Sequence, residues 1–339
     1  MLAVRLHAAG EPLRLEEVPI PAPVGTQIRL RVAACGVCRT DLHIADGLQQ
    51  RVELPVTLGH EVAGWVDALG ADASTELLTG EPVLLHGGWG CGACRDCVGG
   101  DEQRCANERS PGFQADGGYA EYMLVPHPRH LVPLGSLDPF TAAPLADAGV
   151  TPFRAVRRAH PWLTPGARAL VIGAGGLGQF AIQYLRRLPN LSIAVIEPHD
   201  RRRERAFGLG ADDATDGPYD VVFDFVGTDA SLALATRRIA PGGLVSLAGE
   251  GGGRATFSFD DLAVESWMTT TAWGSLDDLR EVVTLAAAGD LSWDVEALPL
   301  SEAQTAHDRL RRGDVAHRLV LVPAPELHPL NVSGKSSGF

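Results

Sequence analysis

All six cysteines of this 339-residue chain fall into two groups: Cys35 with Cys38, and Cys91, Cys94, Cys97 and Cys105 together. The second group reads C-x2-C-x2-C-x7-C among glycines and charged residues, with little apolar content. Such a segment cannot hold itself together by burial. Four thiolates around a tetrahedral Zn2+ can do so, because that metal is satisfied by a closed sulfur shell. A bacterial ferredoxin-type iron–sulfur cluster needs a shorter last gap followed by Pro, which this segment lacks. A DNA-binding zinc ribbon is disfavoured by a formal net charge of −13. The reading is a structural zinc.

Three other segments carry residues of a different kind: Cys35-Gly-Val-Cys38-Arg39-Thr40-Asp-Leu-His43, Gly59-His60-Glu61, and Pro144-Leu-Ala-Asp147-Ala-Gly. One thiolate, one imidazole and one carboxylate make a three-ligand zinc site with its fourth position open to water or substrate, which is the catalytic arrangement. Each segment by itself has a plainer reading. His60 suits a structural role, and Asp147 suits a helix N-cap. Cys35 and Cys38 resemble a thiol redox pair, but the thioredoxin-like element order is missing. Cys35 is read as a small buried residue.

A third motif, Gly173-Ala-Gly175-Gly176-Leu177-Gly178, follows an apolar run and opens a helical one. The first glycine permits a tight turn, the second lets backbone approach a pyrophosphate, and the last lets helix and strand pack closely. The helix N-terminus then offers N–H groups to the phosphates. Glu197 follows at the end of the next predicted strand, where a carboxylate accepts hydrogen bonds from the adenosine ribose and repels a 2′-phosphate. NAD is therefore favoured over NADP. Arg201, Arg202, Arg203 and Arg205 come next and keep NADP open; their plainer reading is a solvated helix face.

The elements that must position these residues divide the chain. Up to residue 148 short alternating stretches (Ile28–Ala33, Glu61–Val66, Pro82–Leu85, Tyr119–Val125) are separated by Gly and Pro, a β-rich pattern. From 149 to 272 buried strands (Ala169–Ile172, Ser192–Ile196, Val221–Val226, Leu244–Ala248) alternate with helices (Thr151–Ala159, Leu177–Leu188, an Arg-rich one to Leu209, Ala230–Ile239). That alternation predicts a doubly wound parallel sheet covered on both faces. Residues 273–323 hold a helix, Leu276–Ala288, and a strand, Arg318–Val322. Residues 324–339 read as a flexible tail. The fold class is α/β, in two domains.

Composition removes several functions. The acidic charge argues against nucleic-acid and anionic-membrane partners. No apolar run is long enough to span a bilayer, and the N-terminus is too polar for a signal peptide, so the cytoplasm is expected. Lys335 is the only lysine. A Schiff-base mechanism, which needs a buried lysine, is therefore excluded.

Taken in order, C-G-V-C-R-T-D-L-H, L-G-H-E-V-A-G, the four-cysteine lobe, D-G-G-Y-A-E-Y and G-A-G-G-L-G resemble the zinc-containing medium-chain alcohol dehydrogenases, over residues 3 to 322. Gly88-Trp-Gly-Cys-Gly-Ala-Cys94 and Pro144-Leu-Ala-Asp-Ala-Gly-Val-Thr-Pro152 are most similar to the bacterial secondary-alcohol dehydrogenases. The resemblance implies a GroES-like catalytic domain with a Rossmann domain, and two Zn2+ per chain. One zinc would be held by Cys38, His60 and Asp147. Many relatives carry cysteine where Asp147 stands. Glu61 is either a transient ligand or a carboxylate that orients the site. The implied reaction moves a hydride between a small alcohol, first of all a secondary one, and NAD, through a metal-bound alkoxide. Thr40 would take the proton and pass it through the cofactor ribose to His43, which suits release because its ordinary pKa is near 6.5. Arg39 would pair with the pyrophosphate. Homodimers or homotetramers are implied. Glu250 departs from the apolar residue usual in the subgroup. Zinc-less reductases of the same superfamily lack both the lobe and the ligands, while an inactive relative would keep the fold without the turnover.

Overall fold

A computed structural model describes residues 1–49 and 51–324 of the chain. The expected tail, Ala324 apart, lies outside the described residues. Contacts divide the chain into two compact units. One is built from Met1–Asp147 with the residues from Ser275 onward, the other from Ala148–Gly274.

The first unit is a β-structure. Its larger sheet runs in the order Val295–Pro299, Arg318–Val322, Ile28–Gly36, Glu61–Leu69, Pro82–Leu85, Leu131–Pro133, and Tyr122–Val125 also pairs with Ile28–Gly36. A smaller sheet sets Leu2–Leu6 between Arg14–Glu17 and Val56–Thr57. Ile28, Leu30, Val62, Val66, Leu85, Tyr119, Leu319 and Leu321 fill one core. Register does positional work here. Gly36 pairs with Glu61 on one side and with Val320 on the other. The end of one strand, the start of a second and the first residues of a third therefore meet at one end of the sheet.

The second unit holds six parallel strands in the order Asp212–Asp213, Ser192–Ile196, Arg168–Ile172, Tyr219–Asp224, Ile239–Leu247, Trp267–Thr270. By chain position that is 3-2-1-4-5-6, the doubly wound dinucleotide-binding order, with its switch point beside the first strand. Leu170, Val171, Val222 and Phe223 are fully buried, which is why these strands read as continuous apolar runs.

Several elements differ from expectation. The strand expected at Val221–Val226 runs Tyr219–Asp224, and that expected at Leu244–Ala248 begins at Ile239. Asp147 does not cap a helix: it follows a short 3-10 turn, and the helix Val150–Ala159 is capped by Gly149. Cys38 caps a short helix, Arg39–Ala45, that had no sequence-based counterpart. A second helix, Ala303–Arg312, and the strands Trp267–Thr270 and Val295–Pro299 had no sequence-based counterpart. Among the described residues no helix is long and apolar enough to cross a membrane.

Candidate metal centre and dinucleotide site

Cys38 stands at the N-terminal end of helix Arg39–Ala45, where its backbone N–H donates to Asp41 Oδ2 at 2.9 Å. His60 follows Gly59, whose φ is +96°. A Cβ at Gly59 would lie 2.4 Å from the Tyr119 ring and 2.5 Å from Cys35 Sγ. Only glycine lets the chain turn there and present His60. The same contact explains Cys35, a small, wholly buried thiol packed under the turn. Asp147 comes directly after the 3-10 turn Ala143–Ala146, as its C-cap.

These three side chains converge. Asp147 Oδ2 is 3.5 Å from Cys38 Sγ and 3.6 Å from His60 Nε2. Ligand atoms about 2.0–2.3 Å from a tetrahedral Zn2+ are separated by roughly 3.3–3.8 Å, so the spacing fits one small cation. Charge points the same way. Burial works against a charged imidazole at His60, yet Asp41, Asp147 and Cys38 outweigh it and hold its pKa well above the ordinary value. Burial and the Asp147 carboxylate together push the Cys38 thiol up. A divalent cation removes both penalties, since its ligands are a thiolate and a neutral imidazole.

Glu61 is wholly buried, and both its oxygens lie 2.6 Å from Arg318 Nη2. Burial pushes its pKa up to about 7, although Arg318 pulls against this. Gly36 makes room for it, because a Cβ there would sit 1.8 Å from Glu61 Oε2. Arg318 was not singled out from the sequence. Its signal was a lone arginine heading an otherwise apolar strand, Arg-Leu-Val-Leu-Val. Thr40 Oγ1 is 3.7 Å from Cys38 Sγ. His43 is half-buried, and its buried Nδ1 has no hydrogen-bond partner among the described residues. Burial, then Arg39, lower its pKa below the ordinary value. Arg39 is exposed and reaches the Leu310 carbonyl at 3.4 Å.

The four lobe cysteines also draw together, with Cys94 and Cys97 sulfurs 3.4 Å apart and those of Cys91 and Cys97 3.9 Å apart. Backbone N–H groups of Ala93 and Cys94 pull the Cys91 pKa down to about 6, whereas burial pushes Cys97 up to about 12. Around them, Glu102 accepts from the Gly90 N–H at 3.1 Å and from Arg129 Nε at 3.1 Å. These bonds tie the lobe to the turn Pro128–His130, and the four cysteines could hold a metal ion between them. A cavity of about 730 Å³ beside the lobe is lined by Arg5, Trp89, Cys91 and Tyr122 and by none of Cys38, His60 and Asp147.

In the second unit the glycine turn has the expected form. Gly173 has φ +86°, and helix Gly176–Arg186 starts after Gly175. A Cβ on Gly178 would lie 2.0 Å from the Gly173 carbonyl oxygen, while a Cβ on Gly175 would meet nothing within 4 Å. The last glycine is thus required by packing, and the middle one leaves open space where a phosphate would approach. Glu197, one residue past its strand, is 6% exposed. Its carboxylate accepts from Ala174 N–H at 2.8 Å and His199 N–H at 3.0 Å. Arg203 donates to the Glu197 carbonyl at 3.1 Å, and Arg205 to Gln179 at 2.7 Å.

Residues 25–136 match the alcohol dehydrogenase GroES-like domain family, and residues 195–321 the zinc-binding dehydrogenase family. The chain is 37% identical to a D-arabinose 1-dehydrogenase (NADP(+)) of Saccharolobus solfataricus, over 95% of this chain and 97% of that one. The chain belongs to the medium-chain alcohol dehydrogenase family. An NAD-dependent alcohol dehydrogenase of Sulfurisphaera tokodaii is 34% identical over 95% of this dehydrogenase and 100% of its own length. The crystal structure of the alcohol dehydrogenase from Aeropyrum pernix superposes with a TM-score of 0.89, at 32% identity, covering 95% of this dehydrogenase and 100% of that chain. The protein is an oxidoreductase of the zinc-binding, NAD(P)-dependent type.

Proposed function

We propose that this dehydrogenase oxidises small alcohols, secondary ones first, and reduces the matching ketones or aldehydes, with NAD as hydride carrier. The observation that carries this is the meeting of Cys38, His60 and Asp147, whose ligand atoms lie within 4.8 Å of one another. Zn2+ held there supplies Lewis acidity toward the substrate oxygen, and a second Zn2+ in the Cys91, Cys94, Cys97, Cys105 shell holds the lobe. Thr40 accepts the proton that the substrate hydroxyl gives up. As it does so the Thr40 hydroxyl would release its own proton, through the cofactor ribose, to His43, one helical turn along the same face, which gives it to solvent. Glu61, locked to Arg318, acts as a fixed buried carboxylate that orients the site rather than as a ligand.

Cofactor choice follows from Glu197. Two backbone donors fix its carboxylate in place, so it cannot swing away from a 2′-phosphate. Arg203 and Arg205 already have partners. Strand Trp267–Thr270 ends the six-strand order, with Trp267 61% exposed. A second copy pairs along that edge, giving a homodimer or a homotetramer, which sedimentation of the native chain checks.

The deciding experiment is metal analysis of the purified chain together with a substrate panel of secondary alcohols, primary alcohols and aldoses, following reduced nicotinamide by absorbance. About two zinc per chain and the fastest turnover on secondary alcohols is the expected result. Aldoses as the faster substrates would overturn the substrate assignment. Absence of a zinc that is lost on replacing Cys38 would overturn the metal assignment.

A further inference from the structure

Behind His60 lies a chain of buried polar groups that the chemistry above does not use. His60 Nδ1 is 3.3 Å from Asp41 Oδ1. Asp41 Oδ2 accepts from the Cys38 N–H at 2.9 Å and from the Tyr119 hydroxyl at 3.0 Å. The Tyr119 hydroxyl is in turn 3.3 Å from His307 Nε2, the two rings standing edge to face at 5.9 Å. Asp41 and Tyr119 are wholly buried, and His307 is 1% exposed.

Donor and acceptor roles can run in one direction along this row. Asp41 Oδ2 takes both the Cys38 N–H and the Tyr119 hydroxyl as donors, so Asp41 is the acceptor of the row. Burial and Asp41 keep Tyr119 protonated. Its single hydroxyl hydrogen goes to Asp41, so its oxygen is left as an acceptor. His307, held neutral by burial, must therefore carry its one proton on Nε2. At the other end, an Nδ1–H on His60 directed at Asp41 leaves Nε2 to face Cys38 and Asp147.

We propose that His307 is a positioning residue for the cation site: it holds Tyr119, Tyr119 holds Asp41, and Asp41 fixes the ring orientation and tautomer of His60. The proposal rests on reading Cys38, His60 and Asp147 as a metal centre. It gives helix Ala303–Arg312 a task. The same helix is tied to helix Arg39–Ala45 and the residue after it by Arg39 to the Leu310 carbonyl at 3.4 Å and by Arg311 to Asp46 at 2.6 Å. An element remote in sequence thus braces both the helix that carries Thr40 and His43 and the imidazole beside it. A carboxylate or carbonyl behind a ligating histidine sets its tautomer, and loss of such a partner costs about 10- to 100-fold in metal affinity.

The test uses the full chain loaded with Co2+, with the spectrum of the Cys38→Ser variant subtracted to isolate this site. His307→Leu removes the donor, and His307→Gln keeps an N–H of similar reach. His307→Leu is expected to shift the cobalt visible bands and to release this metal to a chelator about 10-fold faster, while metal loss from the four-cysteine lobe and the melting temperature stay as in the parent. His307→Gln is expected to match the parent. Tyr119→Phe is expected to match His307→Leu, and the double variant to be no worse than Tyr119→Phe, because both act through one chain of bonds. Unchanged bands and release in His307→Leu would overturn the proposal, as would additive effects in the double variant or a His307→Gln as impaired as His307→Leu. If His307→Leu does not fold, His307→Asn, which withdraws the donor, takes its place in the same comparison. A parent with no Cys38-dependent cobalt signal would instead sink the metal reading itself.

Discussion

Asp147 places a carboxylate oxygen 3.5 Å from the sulfur of Cys38, although 109 residues separate them in the chain. Many members of the family have a thiolate at this position, by resemblance. A carboxylate gives less electron density to a cation, which should leave the metal a stronger Lewis acid. Asp147→Cys is therefore expected to keep about two zinc per chain and to move the rising limb of the kcat against pH profile to higher pH. An unchanged profile would count against this role for Asp147.

His43 acts as a proton acceptor only when neutral. Because burial and Arg39 lower its pKa, the neutral form persists to lower pH than for an ordinary histidine. His43→Ala is expected to slow turnover roughly 10-fold, most on the acid side where other bases are scarce, and added imidazole is expected to restore part of the rate. Equal rates for variant and parent across the pH range would remove His43 from the proton path.

Glu197 is anchored by the Ala174 and His199 N–H groups, so its loss would loosen the glycine turn and, in the proposed role, remove a ribose acceptor. Glu197→Ala is expected to weaken NAD binding by about 10-fold and to narrow the gap between NAD and NADP. Calorimetric titration of each cofactor checks this. A parent that binds NADP as tightly as NAD would refute the discrimination assigned to Glu197.

His130 gives a stability prediction independent of turnover. It is 1% exposed, beside the His86 and Trp89 rings. Burial, helped by Arg129, His86 and His127, pushes its pKa down to about 2. The unfolded chain binds a proton at this residue below about pH 6.5 and the folded chain does not. Its contribution is therefore whole above that pH and falls as pH drops, by up to about 1.4 kcal/mol per unit. Denaturant unfolding from pH 7.5 down to 4.5 is expected to show a shallower acid slope in His130→Gln than in the parent. Parallel slopes would show that His130 is not the group responsible.

The sequence made the chemistry more legible than the scaffold. Ser192–Ile196 and Arg318–Val322 are strands with the expected bounds, because a run of buried β-formers leaves few alternatives. The six cysteines declared their grouping by spacing. Helix Arg39–Ala45 stayed hidden because it is only seven residues long and its second and third residues, Thr40 and Asp41, are poor helix formers. Helix Ala303–Arg312 stayed hidden because it buries only Ala303, Ala306 and His307, too narrow an apolar stripe to announce itself. Arg318 and Tyr119 could be recognised as partners of Glu61 and Asp41 only in three dimensions, since they stand 257 and 78 positions away in the chain.

The return of the chain to its first unit sets an order along the sequence. Arg318 neutralises Glu61, and His307 completes the row behind His60. A chain that ends at residue 300 carries Cys38, His60 and Asp147 but lacks Arg318, which holds both Glu61 oxygens at 2.6 Å, and His307, which reaches the Tyr119 hydroxyl at 3.3 Å. The groups that complete this site are thus encoded after the whole of the glycine-turn unit, Ala148–Gly274.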